Sequence, residues 1–202
     1  MKQYNVNKLV CGCDEAGRGA LAGPVIAGAV ILPKKKSIHN LNDSKKIAPN
    51  LREKISESIK KNSICWGIGV VNNTEIDKIN ILNASIKAMH LAIKSMIVKM
   101  DGKHPELLLI DGNRFEKYKN IEHKCIIKGD AKYSSIAAAS ILAKTYRDQL
   151  MTKLSGQHIE YNWKKNKGYP TKEHKNAISN FGITKYHRKS FKLLENQYSL
   201  EF

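Results

Sequence analysis

Short apolar runs alternate with amphipathic stretches along the chain, so the sequence predicts strands and helices in turn. Predicted strands cover residues 9–13, 23–32, 63–71, a run that begins at 106 and ends at 111, and 123–128. Predicted helices cover residues 50–61, a long stretch from 74 to the turn at 99–105, 132–148 and 171–180.

The pattern also indicates how two of the strands are placed. The strand at 23–32 follows the glycine turn after the first strand closely, so the two are expected to pair antiparallel. The run that ends at Asp111 is apolar throughout, which is typical of a strand buried on both faces.

The long helix carries an apolar stripe at steps of three and four residues, which predicts a helix packed against the core. Residues 74–77 resemble a capping box and are expected to open this helix. The stripe consists of Ile79, Leu82, Ile86, Met89, Ile93 and Ile97.

Four acidic residues fall where predicted strands end. Asp14 and Glu15 close the first strand, Asp111 closes the buried run, and Asp130 follows the strand at 123–128. Open α/β sheets bind ligands at the carboxyl ends of their strands, so the four acids are candidates for one site. Because side chains on a strand alternate between faces, Asp14 and Glu15 share that site only if the chain bends there, and the residues at 16–17 are expected to provide the bend.

Each acid also has an ordinary structural interpretation. Asp14 and Glu15 fit a solvated strand end before a glycine turn, and Asp130 fits an N-cap of the next helix, a role that is compatible with metal binding. Asp148 is left out of the set, because it lies 18 residues beyond Asp130, about 27 Å along a continuous helix.

Clustered carboxylates need cations. A like-charge pair near 5 Å repels by on the order of 3 kcal/mol at an effective dielectric constant of about 20. Divalent ions convert that repulsion into coordination, and an oxygen-only ligand set favours Mg²⁺ or Mn²⁺. Two such ions can flank a phosphate, one activating water and the other stabilising the leaving oxygen, so in a basic protein the expected reaction is phosphodiester hydrolysis.

The charge balance favours nucleic acid as the partner. The chain has 35 lysines and arginines against 18 acidic residues, a net charge of +17, although a basic protein from a lysine-rich proteome would show the same excess. Ser44, followed by Lys45 and Lys46, suits a phosphate backbone as well as it suits a turn with a solvated face. Residues 161–171 mix aromatics with lysines, which suits base stacking with phosphate contact or a basic loop.

Length and composition limit the organisation. The expectation is a single catalytic domain over residues 1–202, in which about 156–202 form a small, basic, helical extension that binds substrate. No long apolar run and no signal-peptide pattern is present, so a cytoplasmic protein without a membrane segment is expected. The cysteines form no Cys-x-x-Cys pair and are expected to be reduced thiols; they are Cys11, Cys13, Cys65 and Cys125.

The ordered set of motifs resembles bacterial ribonuclease HII over essentially residues 9–191. The first matching motifs are Asp14-Glu15-Ala16-Gly17-Arg18-Gly19, Gly23-Pro24-Val25, Asp43-Ser44-Lys45 and Ile110-Asp111-Gly112-Asn113. The later ones are Lys128-Gly129-Asp130, Ser140-Ile141-Leu142-Ala143-Lys144, Arg147-Asp148, Lys167-Gly168-Tyr169 and His187-Arg188-Lys189-Ser190-Phe191.

The resemblance implies a ribonuclease-H-like α/β fold, with a central mixed sheet flanked by helices. It implies endonucleolytic cleavage of RNA in RNA–DNA hybrids and incision 5′ of single ribonucleotides in duplex DNA, leaving 3′-hydroxyl and 5′-phosphate ends. Asp14, Glu15, Asp111 and Asp130 would be the catalytic acids and would bind two Mn²⁺ or Mg²⁺ ions. A monomer is expected, and a sliding-clamp contact is not readable from the sequence.

The resemblance also assigns substrate contacts. Gly17, Arg18 and Gly19 would read the ribose 2′-hydroxyl, and Tyr169 would pack on the adjacent deoxynucleotide sugar. The other expected substrate-binding residues are Ser44, Lys45, Lys46, His187 and Arg188.

Two alternatives remain at this point. A ribonuclease HIII-like hybrid nuclease shares the fold and the reaction class, but it usually carries an additional N-terminal domain, for which residues 1–8 leave no room. A non-catalytic basic nucleic-acid-binding protein would explain the charge but not the acids that end apolar strands.

Overall fold

A computed structural model describes residues 1–4, 7–34, 38, 41, 44, 47–101 and 103–194. Its centre is a five-stranded mixed sheet with strand order β3-β2-β1-β4-β5. The strands are β1 (Val10–Ala16), β2 (Val25–Ile31), β3 (Cys65–Val71), β4 (Leu107–Asp111) and β5 (Glu122–Ile126). The helices are α1 (Pro49–Asn62), α2 (Asn73–Val98), α3 (Ser134–Ser155), α4 (Trp163–Asn166) and α5 (Lys172–Phe181).

The register of β1 places the acids at one edge of the sheet. β1 pairs antiparallel with β2, as predicted, and parallel with β4, where Cys13 lies opposite Ile110. Asp14 and Asp111 are the next residues along these two parallel strands, so the sequence positions them side by side. β5 continues the sheet parallel to β4, with Ile126 opposite Asp111.

Helices α2 and α3 cover opposite faces of the sheet. Gly12 lies against α3, where a Cβ atom would overlap the backbone of Ser135, whereas its neighbours Cys11 and Cys13 point into the core beneath α2. Alternation along β1 therefore separates the two layers. On the α2 side, a Cβ at Gly67 would overlap the backbone of Ala92, so small residues allow the close approach.

Helix α2 is long and apolar enough, by length and composition, to meet the criterion for a membrane span. Its packing accounts for this character, because Ala84, Ala88, Ala92 and Met96 are fully buried against the sheet or nearly so. Of the predicted stripe, Ile86, Met89 and Ile93 are buried, whereas Ile79, Leu82 and Ile97 are partly exposed.

The start of α2 differs from the predicted capping box. The N-cap is Asn72, whose side chain accepts a hydrogen bond from the Glu75 N–H at 2.9 Å, and not Thr74. The helix is also interrupted at Asn80, which has φ 64° and ψ 165°. The Asn80 side chain accepts from the N–H groups of Leu82 and Asn83, so it restarts the helix as a cap does.

The segment after α3 forms short helices around a separate aromatic cluster. Tyr161 and Trp163 are fully buried there with Leu21, Ala22 and Met151. This cluster joins the C-terminal segment to the turn between β1 and β2. Residues 195–202, the end of the expected basic extension, lie outside the described residues.

Candidate active site

The Asp14 carboxylate is the most buried of the four predicted acids, with 6% of the residue exposed. Burial raises its pKa well above the usual range, and the charges of Glu15 and Asp111 raise it further. Hydrogen bonds from Ser140 and from the Glu15 N–H, the latter at 2.7 Å, act in the opposite direction. An anion in this position is electrostatically unfavourable unless a cation is present.

Glu15 lines the same cleft as Asp14, at the end of β1. Of the two residues expected to bend the chain, Ala16 still belongs to the strand, whereas Gly17, with φ 98°, begins the turn. Burial raises the pKa of Glu15, and the Arg18 guanidinium, 3.2 Å from Glu15 Oε1, partly offsets this.

Asp111 brings the fourth acid into position. Its Oδ1 accepts a hydrogen bond from the Gly129 N–H at 2.7 Å, which ties the short 3₁₀ turn Gly129–Ala131 to the end of β4. Asp130 belongs to this turn and lines the cleft. It is not the N-cap of α3, because that position is held by Tyr133.

The four carboxylates therefore line one cleft of about 690 Å³. The same cleft is lined by the expected recognition residues Gly17, Arg18, Gly19, Ser44 and Tyr169, and by the cations Lys144, Lys165 and Lys167. It combines a concentrated negative centre with a basic wall, the arrangement that a phosphodiester and divalent ions require together.

The donor set fits hard divalent cations. Asp14, Glu15, Asp111 and Asp130 offer only carboxylate oxygens, the ligands that Mg²⁺ and Mn²⁺ prefer. Within the described residues, no three His, Cys, Asp or Glu side chains already converge as metal ligands. Burial, and after it the charges of neighbouring carboxylates, raise the pKa values of Asp14 and Glu15, and a bound divalent ion would offset both effects.

Ser44 supports Asp14 through a second serine. Its hydroxyl lies 3.0 Å from the Ser140 hydroxyl, and Ser140 hydrogen-bonds Asp14, so the proton order Ser44 to Ser140 to Asp14 satisfies all three groups. Ser44 is 3% exposed. Lys45 and Lys46 lie outside the described residues.

Two buried arginines hold the turn at 17–24 by its carbonyl groups. Arg188 donates to the carbonyl oxygens of Gly17 at 2.7 Å, Arg18 at 2.8 Å and Gly23 at 3.0 Å. Arg147 donates to Pro24, Ala22 and Lys167 in the same manner. Burial lowers the pKa of both guanidinium groups.

The two glycines of the turn differ in their surroundings. Gly17 has φ 98°, and a Cβ there would overlap the Arg147 side chain. A Cβ at Gly19 would meet nothing within 4 Å, so its backbone is open to a ligand. Within the described part of the chain, no backbone carbonyl accepts a hydrogen bond from the N–H of Arg18 or Gly19.

Two predicted substrate-binding residues do not face the cleft. His187 is 1% exposed and Arg188 is fully buried, and their polar atoms are used inside the protein. The expectation of direct contact is corrected for both, because a side chain without solvent exposure cannot reach a substrate. Arg188 instead supports the turn at 17–19.

Tyr169 lines the cleft. The Arg147 guanidinium lies 5.2 Å from its ring centroid and the Lys144 ammonium 5.5 Å, so two cations pack against the ring.

The sequence did not reveal the role of Asp148. Asp148 also lines the cleft, but Arg52 and Lys144 bind its two oxygens at 2.6 and 2.7 Å. Arg52 in turn donates to the carbonyls of Ser44 and Ile47, so this pair ties α3 to the segment before α1. The Arg147-Asp148 motif was the available signal, although its partner Arg52 is 96 positions away.

Comparison with known proteins agrees with this geometry. The family model for ribonuclease HII matches residues 11–194. A ribonuclease HII of Christiangramia forsetii is 56% identical over 199 residues, covering 98% of each chain. One from Parabacteroides distasonis is 54% identical over 195 residues, covering 96% of each chain.

Solved structures confirm the predicted fold class. Ribonuclease H2 from Pyrococcus horikoshii OT3 matches with a TM-score of 0.73 and 24% identity, covering 91% of this chain and 94% of that one. The Archaeoglobus fulgidus ribonuclease HII, solved in complex with PCNA, has a TM-score of 0.72 and 22% identity, with coverages of 95% and 98%. Bst-RNase HIII in complex with Mn²⁺ has a TM-score of 0.70 and 16% identity, with coverages of 93% and 70%.

Proposed function

The chain belongs to the ribonuclease HII family, and from this we propose that it incises duplex DNA on the 5′ side of single embedded ribonucleotides, leaving 3′-hydroxyl and 5′-phosphate ends. As a member of the family it is a ribonuclease H, an endonuclease that hydrolyses the RNA strand of RNA–DNA hybrids. The observation that supports incision at single ribonucleotides is that four carboxylates, an open glycine turn and a tyrosine line one cleft.

We propose that Asp14, Glu15, Asp111 and Asp130 hold two divalent ions, Mn²⁺ or Mg²⁺, against the scissile phosphate. Such ions supply an activated water and stabilise the leaving oxygen. The chain's contribution is to orient the carboxylates by hydrogen bonds. Ser140 and the Glu15 N–H do this for Asp14, and the Gly129 N–H does it for Asp111.

The turn at 17–19 is proposed to recognise the ribose. A 2′-hydroxyl both donates and accepts, so a backbone N–H and a carbonyl can bind it together. The Gly17 carbonyl is already bound to Arg188, which leaves the N–H groups of Arg18 and Gly19 as the available donors. The open surface at Gly19 gives a sugar room to approach them.

Tyr169 is proposed to pack on the next sugar, where a 2′-hydroxyl would be desolvated against the ring and deoxyribose would be preferred. Lys144, Lys165 and Lys167 on the same wall would contact phosphates. Together with the net charge of +17, these contacts predict affinity that falls steeply with salt and depends little on sequence.

Three duplexes test the proposal: one with a lone ribonucleotide in DNA, one uniform RNA–DNA hybrid and one all-DNA control. We expect metal-dependent cleavage of the first two, with the cut mapped to the 5′ side of the lone ribonucleotide. Cleavage of the hybrid alone would reject the junction proposal and favour a ribonuclease HIII-like preference. No cleavage of either, with binding intact, would favour the non-catalytic alternative.

We also propose that the enzyme acts as a cytoplasmic monomer and that a sliding clamp can recruit it. The archaeal relative solved with PCNA motivates the clamp contact. Size-exclusion chromatography with light scattering tests the monomer, and adding purified clamp tests recruitment. A dimeric elution mass or unchanged elution with clamp would reject the respective proposal.

A further inference from the structure

We infer that His174 and His187 form a buried hydrogen-bond relay that positions Tyr169 through its backbone carbonyl and thereby sets the strength of junction recognition. The inference rests on the proposed role of Tyr169 at the deoxynucleotide next to the ribonucleotide. His174 is fully buried and His187 is 1% exposed, so neither contacts substrate. They would be positioning residues that act on the substrate only through Tyr169.

The protonation of His187 follows from one neighbour. The backbone N–H of Thr184 lies 2.9 Å from His187 Nδ1. A backbone N–H can only donate, so Nδ1 is the acceptor and carries no proton. The neutral ring therefore holds its proton on Nε2. Thr184 Oγ1, at 3.1 Å, is a second partner of the same nitrogen.

The protonation of His174 follows independently from Trp163. The indole Nε1–H of Trp163 lies 3.0 Å from His174 Nε2, and an indole N–H can only donate. His174 Nε2 is therefore an acceptor, and the ring holds its proton on Nδ1. The His187 Nε2–H, 3.2 Å away, is directed at the same His174 Nε2. The Thr184 N–H and the Trp163 indole N–H can only donate, and both therefore require the same arrangement of protons on the two rings.

The proton on His174 Nδ1 is directed at the backbone of Tyr169, a residue that lines the cleft. Nδ1 donates to the Tyr169 carbonyl oxygen at 3.0 Å, and the Thr171 N–H donates to the same oxygen at 2.8 Å. The Tyr169 N–H donates to the Asn166 carbonyl at 3.0 Å. Both backbone polar groups of Tyr169 are fixed, so its ring leaves the chain in a set direction.

The relay is also linked to the ribose-binding turn. His187 and Arg188 are consecutive, and Arg188 holds the carbonyls of Gly17 and Arg18. The Asn73 side chain donates to the His187 carbonyl at 3.1 Å, which anchors this segment to the start of α2. One short segment therefore supports both proposed recognition elements, the turn at 17–19 directly and Tyr169 through the histidine pair.

Two substitutions of His174 separate the relay from simple packing. In His174→Asn the amide nitrogen replaces Nδ1 and retains a donor for the Tyr169 carbonyl. In His174→Gln the amide oxygen replaces Nε2 and retains the acceptor for Trp163, while the donor to Tyr169 is lost. His158→Asn is the control, since His158 has ring contacts with Tyr161 and Trp163 in the same cluster and does not take part in the hydrogen bonds described above that hold Tyr169.

The measured quantity is the kcat ratio for the lone-ribonucleotide duplex over the uniform hybrid. We expect His174→Gln to lower this ratio roughly tenfold, the effect of one lost hydrogen bond of ordinary strength, with KM little changed because phosphates carry the affinity. His174→Asn and His158→Asn should change it less than about threefold. Equal ratios for the Gln and Asn variants, at matched melting temperatures, would overturn the relay.

Nitrogen-15 NMR of the wild-type imidazoles tests the relay independently of activity. We expect His187 as the Nε2–H tautomer and His174 as the Nδ1–H tautomer at neutral pH. The opposite tautomer at either ring would overturn the inference even if every variant failed to fold. If the wild-type enzyme does not cut at the lone ribonucleotide while the tautomers are as expected, the proposed function and the relay's role in junction recognition fail, whereas the positioning of Tyr169 by the histidine pair stands.

Discussion

Arg188 donates a hydrogen bond of 2.7 Å from its fully buried guanidinium to the carbonyl oxygen of Gly17. A side chain from the C-terminal segment thus fixes a turn that lies 171 residues earlier in the chain. The carbonyl oxygens of Gly17 and Arg18 accept hydrogen bonds from Arg188 inside the protein, so the turn presents its N–H groups to the cleft. The geometry of ribose recognition therefore depends on a residue that cannot touch the substrate.

Replacing Arg188 with lysine tests this dependence. The planar guanidinium of Arg188 donates to three carbonyl oxygens, and one lysine ammonium cannot reproduce this geometry. We therefore expect the free energy of unfolding to fall by about 2–3 kcal/mol. Cleavage at a lone ribonucleotide should fall about tenfold or more. Urea unfolding and single-turnover rates measure both effects, with the exposed Lys185→Gln as control. Wild-type cleavage rates in Arg188→Lys would show that the guanidinium hydrogen bonds are not needed for cleavage at the lone ribonucleotide.

Asp111→Asn should abolish cleavage while leaving the fold and hybrid binding intact. The amide oxygen can still accept from the Gly129 N–H, so the turn at Gly129–Ala131 stays in place and only the charge is lost. We expect kcat to fall at least about a hundredfold, roughly 2.7 kcal/mol on the barrier, and Kd for the hybrid to change less than about threefold. Asp101→Asn, the same change at an exposed position, is the control. Near-normal metal-dependent turnover would remove Asp111 from the site.

Asp14→Asn should stabilise the metal-free protein at neutral pH. The pKa of Asp14 is raised in the folded state by burial and by Glu15 and Asp111, so its charge opposes folding above that pKa, and the opposition disappears as the pH falls. Removing the charge should raise the free energy of unfolding by about 1 kcal/mol in chelator. Mn²⁺ or Mg²⁺ should raise the melting temperature of the wild type but affect the variant much less. An equal metal response in both would exclude Asp14 as a ligand.

The strand-end acids were predictable because their position depends on local patterning. The apolar runs that end in Asp14 and Asp111 indicate where two strands end, and the parallel pairing of β1 with β4 brings those ends together. Of the two residues expected to bend the chain, Ala16 still belongs to β1 and Gly17 begins the turn, and both acidic side chains reach the cleft at the strand terminus.

Burial and long-range pairing were not predictable in the same way. His187 and Arg188 look like ligands in the sequence, because a basic motif does not show which side chains the fold encloses. The Arg52–Asp148 ion pair joins positions 96 apart, and no local pattern indicates it. Thr74 and Asn72 are both good caps, and only the backbone conformation decides between them.

Acid should destabilise the protein through the histidine pair. Burial, and then the charge of His174, lower the pKa of His187 from 6.5 to about 4, so the unfolded chain binds the proton more readily in this range. The free energy of unfolding from this group should therefore decrease as the pH falls from about 6.5 to about 4, by up to about 1.4 kcal/mol per pH unit. His158, Tyr161 and Trp163 are the rings that face the pair.

The measurement is urea unfolding of wild type and His187→Asn across this pH range. Taking the difference cancels the carboxylates Asp14 and Glu15, whose raised pKa values act with the opposite sign. The free energy of unfolding of the variant should change less steeply with pH than that of the wild type. The difference in slope should be up to about 1.4 kcal/mol per pH unit, which corresponds to one bound proton. Parallel slopes for the two proteins would mean that His187 is not held neutral by the fold.

Tyr169 provides the last prediction, on how the enzyme selects a deoxynucleotide beside the ribonucleotide. Its ring lines the cleft, with the Arg147 guanidinium and the Lys144 ammonium against it. The proposed contact lies between the ring face and the sugar, so the hydroxyl is not expected to contribute. Tyr169→Phe should cut the lone-ribonucleotide duplex within about threefold of the wild-type rate, whereas Tyr169→Ala should lose about tenfold or more.

The same two variants separate recognition from affinity. Phosphate contacts carry most of the binding, so Tyr169→Ala should change Kd and its salt dependence little, and it should cut the uniform hybrid far better than the junction. Rates on both substrates and binding at several salt concentrations complete the comparison. If Tyr169→Ala lost junction cutting, hybrid cutting and binding in equal measure, Tyr169 would be a structural residue of the turn, and the preference for deoxyribose would have to arise elsewhere in the cleft.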